Sequence, residues 1–151
     1  MPTLVGTEAD AVRLLHNLIQ LDFDAIAAYE LAIGGLEEDA TRRRLAAFRD
    51  DHRAHTERLG ALLTELDEEP PTAGDSQMLL TTGQVMMALP FGDRAILQAM
   101  AVNEDDTNTA YRRANAHKGV DGAIRQALVQ SFADEQRHAA WIEQRLRQRT
   151  H

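Results

Sequence analysis

Ser131-Phe132-Ala133-Asp134-Glu135-Gln136-Arg137-His138-Ala139-Ala140-Trp141-Ile142 sets a carboxylate and an imidazole three residues apart in a helix-patterned segment. Its apolar neighbours Leu128, Ile142 and Leu146 fall on one stripe at helical spacing, and Glu135 and His138 occupy that same stripe. An ionised carboxylate is costly to bury unless it is paired, hydrogen-bonded or bound to metal. The pair therefore predicts polar partners on other helices.

Those partners appear when the whole chain is read at the same period. Ala, Leu, Glu, Arg and Gln dominate at helical spacing while strand formers are sparse, so the chain reads as all-α with four long helices. The first opens at Thr7 as cap and stops at Gly34-Gly35. The second is capped by Asp39 and runs to the Pro70-Pro71 break. The third is capped by Asp93 and ends near Lys118-Gly119, and the fourth runs from Asp121 to about Gln148. Short turns after the first and third helices predict two antiparallel hairpins. Residues 68–92 then form one long crossover, giving an up-down-down-up four-helix bundle. Within the crossover, Met78-Leu79-Leu80 and Val85 to Leu89 predict a short helix lying over the bundle, with Met78, Met86 and Met87 as its packing residues.

Each long helix interrupts its apolar stripe. The first carries Asp22 and Tyr29 among Val12, Leu15, Ile19, Ile26 and Ile33; the second carries His52 and His55 among Leu45, Phe48, Leu59, Leu62 and Leu66. The third carries Glu104, Thr107 and Tyr111 beside Leu97, Met100 and Ala114, and the fourth carries Ser131, Glu135 and His138. Asp22 lies 15 residues before the first turn at position 37 and His52 lies 15 after it. Glu104 lies 15 before Gly119 and Glu135 lies 16 after. At a rise of about 1.5 Å per residue, all four meet in one layer. The halves also resemble each other: Asp22 to Tyr29 and Glu104 to Tyr111 span the same interval, as do His52-x-x-His55 and Glu135-x-x-His138. An internal repeat follows, with a pseudo-twofold site of three carboxylates and three imidazoles. That donor set suits iron, manganese or zinc, the first two being favoured where carboxylates are numerous. Without metal the three acids should repel, so removing one should stabilise the metal-free protein.

The remaining composition bounds the chemistry. At 151 residues the chain is the size of one domain, expected to span 1–151. It has no cysteine, which excludes disulfides, thiolate metal sites and cysteine nucleophiles. No basic leader or run of membrane-spanning length is legible, and a cytoplasmic protein is the expectation. A net charge of -8 argues against nucleic acid as partner, the arginines 42, 43, 44, 49 and 53 reading as a solvated face paired with acids. Apolar residues on the crossover suggest a homodimer.

On these residues the chain resembles the ferritin-like superfamily, in particular the bacterioferritin and rubrerythrin pattern of an acid on each of two helices and a Glu-x-x-His on each of the other two. The resemblance to such small bacterial proteins implies a pair of iron or manganese ions. Asp22 and Glu104 would be terminal carboxylates, Glu135 a bridging carboxylate and His138 a terminal imidazole. Tyr29, with Tyr111 as its counterpart, is a candidate catalytic side chain near the metals, the other reading of both being core aromatics with a hydrogen bond. It also implies Fe(II) oxidation or the handling of dioxygen or peroxide. Two departures stand out: Asp22 replaces the usual glutamate, and His52-x-x-His55 replaces the second Glu-x-x-His. Asp51, beside His52, would enter either as a metal ligand or as an acceptor that fixes a histidine tautomer. The competing function is a non-enzymatic bundle, stress-related or partner-binding, with a degenerate or mononuclear site.

Overall fold

The computed structural model describes residues 3–73 and 78–148, with side chains of the second stretch described from residue 82. Among the described residues the protein is all-α, with no strand. The long helices are α1 (Ala11–Gly35), α2 (Asp39–Glu65), α4 (Asp93–Asn115) and α5 (Gly122–Arg147), and α3 (Met78–Ala88) leads into a 3-10 turn at Leu89–Phe91. α1 packs most extensively on α2, and α4 on α5; α1 also meets α4 and α2 meets α5, so the long helices form a closed ring of neighbours. No described helix is long and apolar enough to cross a membrane.

The core is built in two blocks. Leu14, Leu15, Leu18, Ile19, Leu59, Leu63 and Leu128 form one. Tyr29, Leu36, Leu45, Phe48, Ile96, Leu97, Met100 and Ile142 form the other. Between them lie the buried polar residues Asp22, His52, His55, Glu104, Glu135 and His138, each at most 1 % exposed. On α2 the inward residue is Leu63, whereas Leu62 is only half-buried and Leu66 is 46 % exposed. The reason is that the helix ends at Glu65, well before Pro70. Asp67 takes a left-handed φ of 60°, and the Glu68 and Asp67 amides donate back to the Leu63 and Thr64 carbonyls, a Schellman closure.

Helix starts also differ from the sequence expectation. Asp10, not Thr7, caps α1, its carboxylate accepting from the Arg13 N–H at 2.8 Å while Thr7 donates to the Leu4 carbonyl. Asp39 is the first residue of α2 rather than its cap. Asp93 is likewise the first residue of α4, and its carboxylate reaches across to accept from the Glu37 and Glu38 amides at 2.8 and 3.1 Å. One side chain thus serves the entry to α2 from another helix. Asp121 does precede α5, though its side chain makes no capping bond.

α3 packs against α1 and α4. Val85 is fully buried and Leu89 lies so close to Gly35 that a Cβ there would come 2.4 Å from its Cδ2, which explains the glycine. Met86 and Met87 do not pack as expected: they are 57 % and 76 % exposed, because Val85 and Leu89, four apart, take the inward face. The Met78 side chain lies outside the described residues. The arginines of α2 do pair with acids, Arg42 with Asp39, Arg49 with Asp50, and Arg53 with Asp50 and Glu30; Arg44 lies over Trp141.

Replacing Asp93 by alanine leaves the Glu37 and Glu38 amides without their acceptor. Urea denaturation should show a loss of about 0.5–2 kcal/mol, the range for a lost helix cap, with the m-value unchanged. An unaltered midpoint would mean that solvent replaces this carboxylate at no cost.

Candidate metal centre

Four helices each deliver their polar interruption to the same layer. Asp22 Oδ1 of α1 lies 2.7 Å from His52 Nδ1 and 3.3 Å from His55 Nδ1 of α2. Glu135 Oε1 of α5 lies 3.4 Å from both of those nitrogens. On the other side, Glu104 Oε1 of α4 lies 3.0 Å from His138 Nδ1 and 3.7 Å from His52 Nε2, and Glu135 Oε2 lies 3.6 Å from His138 Nδ1. Two buried groups result: Asp22, His52, His55 and Glu135, and His52, Glu104, Glu135 and His138. In each, one donor atom per residue falls within 4.8 Å of all the others, an arrangement that could hold a metal ion.

The supports of this layer are exchanged between the halves. Tyr29 of α1 donates to Glu104 of α4 at 3.1 Å, and Tyr111 of α4 donates to Asp22 of α1 at 2.5 Å. Asp51 of α2 accepts from His138 Nε2 of α5 at 2.8 Å, and Asp134 of α5 accepts from His55 Nε2 of α2 at 2.9 Å. Asp51 is therefore not in the inner groups, and it serves the opposite helix rather than its neighbour His52. With the outer nitrogens of His55 and His138 so engaged, their Nδ1 atoms face the carboxylates of the layer. Arg137 pins both aspartates from outside, at 2.5 Å from Asp134 and 3.4 Å from Asp51. Phe48 stacks on the His138 ring at 4.2 Å.

Sequence reading did not single out Asp134, Arg137 or Asn108. Asp134 lies beside the stripe and reads as a surface acid, yet it occupies the position in the second half that Asp51 occupies in the first, 83 residues on. The internal repeat was the signal. Asn108 ties α4 to α5 by donating to the Glu104 and Glu135 carbonyls at 2.8 and 3.0 Å, and Thr107 Oγ1 lies 3.1 Å from carboxylate oxygens of both glutamates.

Each acid of the layer faces imidazole nitrogens, so the expectation of three acids that simply repel one another does not hold. Burial alone would raise Asp22 and Glu104, but hydrogen bonds from His52 and His55, and from His138, outweigh it and hold both carboxyls low. Burial alone would likewise lower the imidazoles, yet the acids around them lift His52 to about 9, His138 to about 11 and His55 to about 12. In the metal-free layer the Asp22 and Glu104 carboxylates and the three imidazoles thus favour each other's charged forms. Removing one acid strands a buried cation and destabilises. Burial and the neighbouring acids push the Tyr29 and Tyr111 phenols up, so both remain protonated donors.

Two atoms of the layer have no hydrogen-bond partner, His52 Nε2 and Glu135 Oε1, although both are fully buried. A buried polar atom left unpaired costs about 1–3 kcal/mol. Both atoms belong to the residues shared by the two groups.

The chain belongs to the family described as a domain of unknown function, DUF2383, which matches residues 10–117. The match takes in α1 to α4, and α5 with Glu135 and His138 lies beyond it. No curated protein and no solved structure matches the chain.

With chelator present, the raised imidazoles contribute stability that is full below their ordinary value of 6.5 and is lost as pH rises through about 9 for His52 and later for the others. The lowered carboxyls, with Asp134 at about 2 because His55 donates to it, contribute stability that is present above their ordinary 3.8 to 4.5 and lost as pH falls below it. Melting temperature should therefore peak between about pH 4.5 and 6.5 and decline on both sides. A temperature that stays level from about pH 6 to 10 would mean that the imidazoles are neutral in the fold.

Proposed function

We propose that this protein is a ferritin-like protein whose bundle holds a pair of iron or manganese ions and oxidises Fe(II) or processes dioxygen or peroxide. The carrying observation is that His52 Nε2 and Glu135 Oε1 are buried without a partner in a layer that otherwise satisfies its polar atoms. A cation would be bound by the Glu135 oxygen as it stands and by the His52 nitrogen on loss of its proton. The donor set fits: three carboxylates and three imidazoles, with no sulfur, suit iron and manganese, and zinc by the imidazole count. In this reading α1–α2 and α4–α5 are two hairpins joined by the long crossover that contains α3, in up-down-down-up order, and the whole chain is one domain.

Asp22 with His55, and Glu104 with His138, would be the terminal ligands of the two ions, and Glu135 would bridge them with one oxygen toward each group. Bound iron or manganese supplies one-electron chemistry toward dioxygen or peroxide. Asp51 and Asp134 hold His138 and His55 with Nδ1 turned inward, and Arg137 holds both acids in place. Tyr29 and Tyr111, remaining protonated, fix Glu104 and Asp22 and would be the phenols nearest the ions. The apolar blocks on either side keep bulk water out. Exposed Met86, Met87 and Phe91 would supply apolar surface for a homodimer, in a protein of the cytoplasm.

The test is metal content with Fe(II) turnover. Chelator-treated protein should take up two Fe(II) per chain and oxidise them when oxygen is admitted, and Glu135→Ala should lose at least one ion. Metal at about 100 times its dissociation constant should stabilise the protein by about 2.7 kcal/mol per bound ion, so the variant should gain less than the wild type, read as a melting shift. One tightly held, unreactive ion would favour the non-enzymatic reading; equal shifts, or none, in both proteins would leave these residues as a paired polar core.

A further inference from the structure

Position 52 is where the internal repeat breaks. Asp51 corresponds to Asp134 and His55 to His138, but His52 corresponds to Glu135. In the two-metal reading above Glu135 serves both ions, because its Oε1 lies 3.4 Å from His55 Nδ1 while its Oε2 lies 3.6 Å from His138 Nδ1. His52 has the same double outlook. Its Nδ1 lies 2.7 Å from Asp22 Oδ1, in the first group; its Nε2 is unpartnered and lies 3.7 Å from Glu104 Oε1, in the second. An imidazole ring aims its two nitrogens in different directions and can address two ions at once, as a carboxylate does with two oxygens. The ring is also locked in place, with the Tyr29, His55 and His138 rings at 5.4, 5.5 and 5.2 Å between centroids.

We propose that His52 is a ligand shared by both metal subsites, Nδ1 serving the ion held by Asp22 and His55, and Nε2 serving the ion held by Glu104 and His138. It rests on the two-metal reading. Each subsite then counts two imidazole nitrogens and two carboxylates. A ring donating both lone pairs carries no N–H, so its protons leave to the buffer as the ions enter. Replacing a second bridging carboxylate by nitrogen in both subsites at once makes His52 the residue that sets metal preference, away from Mn(II) and toward Fe(II), Co(II) and Zn(II).

The experiment titrates chelator-treated protein with Co(II), followed by its visible absorption, and then with Mn(II) and Zn(II) in competition. Wild type should bind two Co(II). His55→Ala and His138→Ala should each weaken one ion and spare the other, whereas His52→Ala should weaken both, by at least the roughly 10-fold that loss of a mere outer partner costs. His52→Glu should keep two ions and move the Mn(II) to Zn(II) affinity ratio toward Mn(II) by about 10-fold or more. Retention of one ion at wild-type affinity in His52→Ala, or of both, overturns the shared role while leaving the two-metal reading intact. Should His52→Ala fail to fold, the affinity ratio of His52→Glu decides, and an unchanged ratio overturns the proposal. Fewer than two ions in the wild type overturns both.

Discussion

Asp22 and Glu104 stay ionised in the middle of this bundle because imidazoles hydrogen-bond to them there. Every other feature of the interior is arranged around that pairing. The apolar core is divided into two blocks, each helix gives up its stripe at one level, and the two tyrosines, Thr107 and the two aspartates are spent on fixing the charged groups.

Stability alone does not account for such a layer. Well-packed apolar residues of the same volume commonly serve a core as well as a buried ion network does, or better. The layer also leaves two buried atoms without a partner, and both sit at the residues that face the two groups together. Structural ion networks tend to close on themselves. This one closes everywhere except at its centre, which is the physical ground for reading it as a receptor for cations.

Periodicity and turn spacing were enough to bring Asp22, His52, Glu104 and Glu135 to one level, because a helix converts sequence distance into height at a constant rate. What stayed hidden depends on direction rather than height. Asp134 is adjacent to Glu135 and off the stripe, so nothing local marks it; only contact with His55 on α2 does. The helix caps differ from their local pattern for a related reason. Asp93 looks like a local cap, but its carboxylate is used by amides of another helix, a tertiary choice that no local window contains. Leu66 fell outside the core because a left-handed Asp67 ended α2 early, and Met86 and Met87 because one four-residue step, Val85 to Leu89, took the inward face of the crossover.

The exchange of supports has a consequence beyond the site. Asp51 stands on α2 and holds a ring of α5, Asp134 stands on α5 and holds a ring of α2, and the tyrosines trade places in the same way between α1 and α4. Reciprocal contacts of this kind, residue i on j and j on i, are what a twofold axis imposes on two identical chains. The two halves thus meet as two copies about a twofold axis would, and neither half alone supplies a complete inner group. At position 52 that reciprocity changes in kind, an imidazole standing where the other half has a carboxylate.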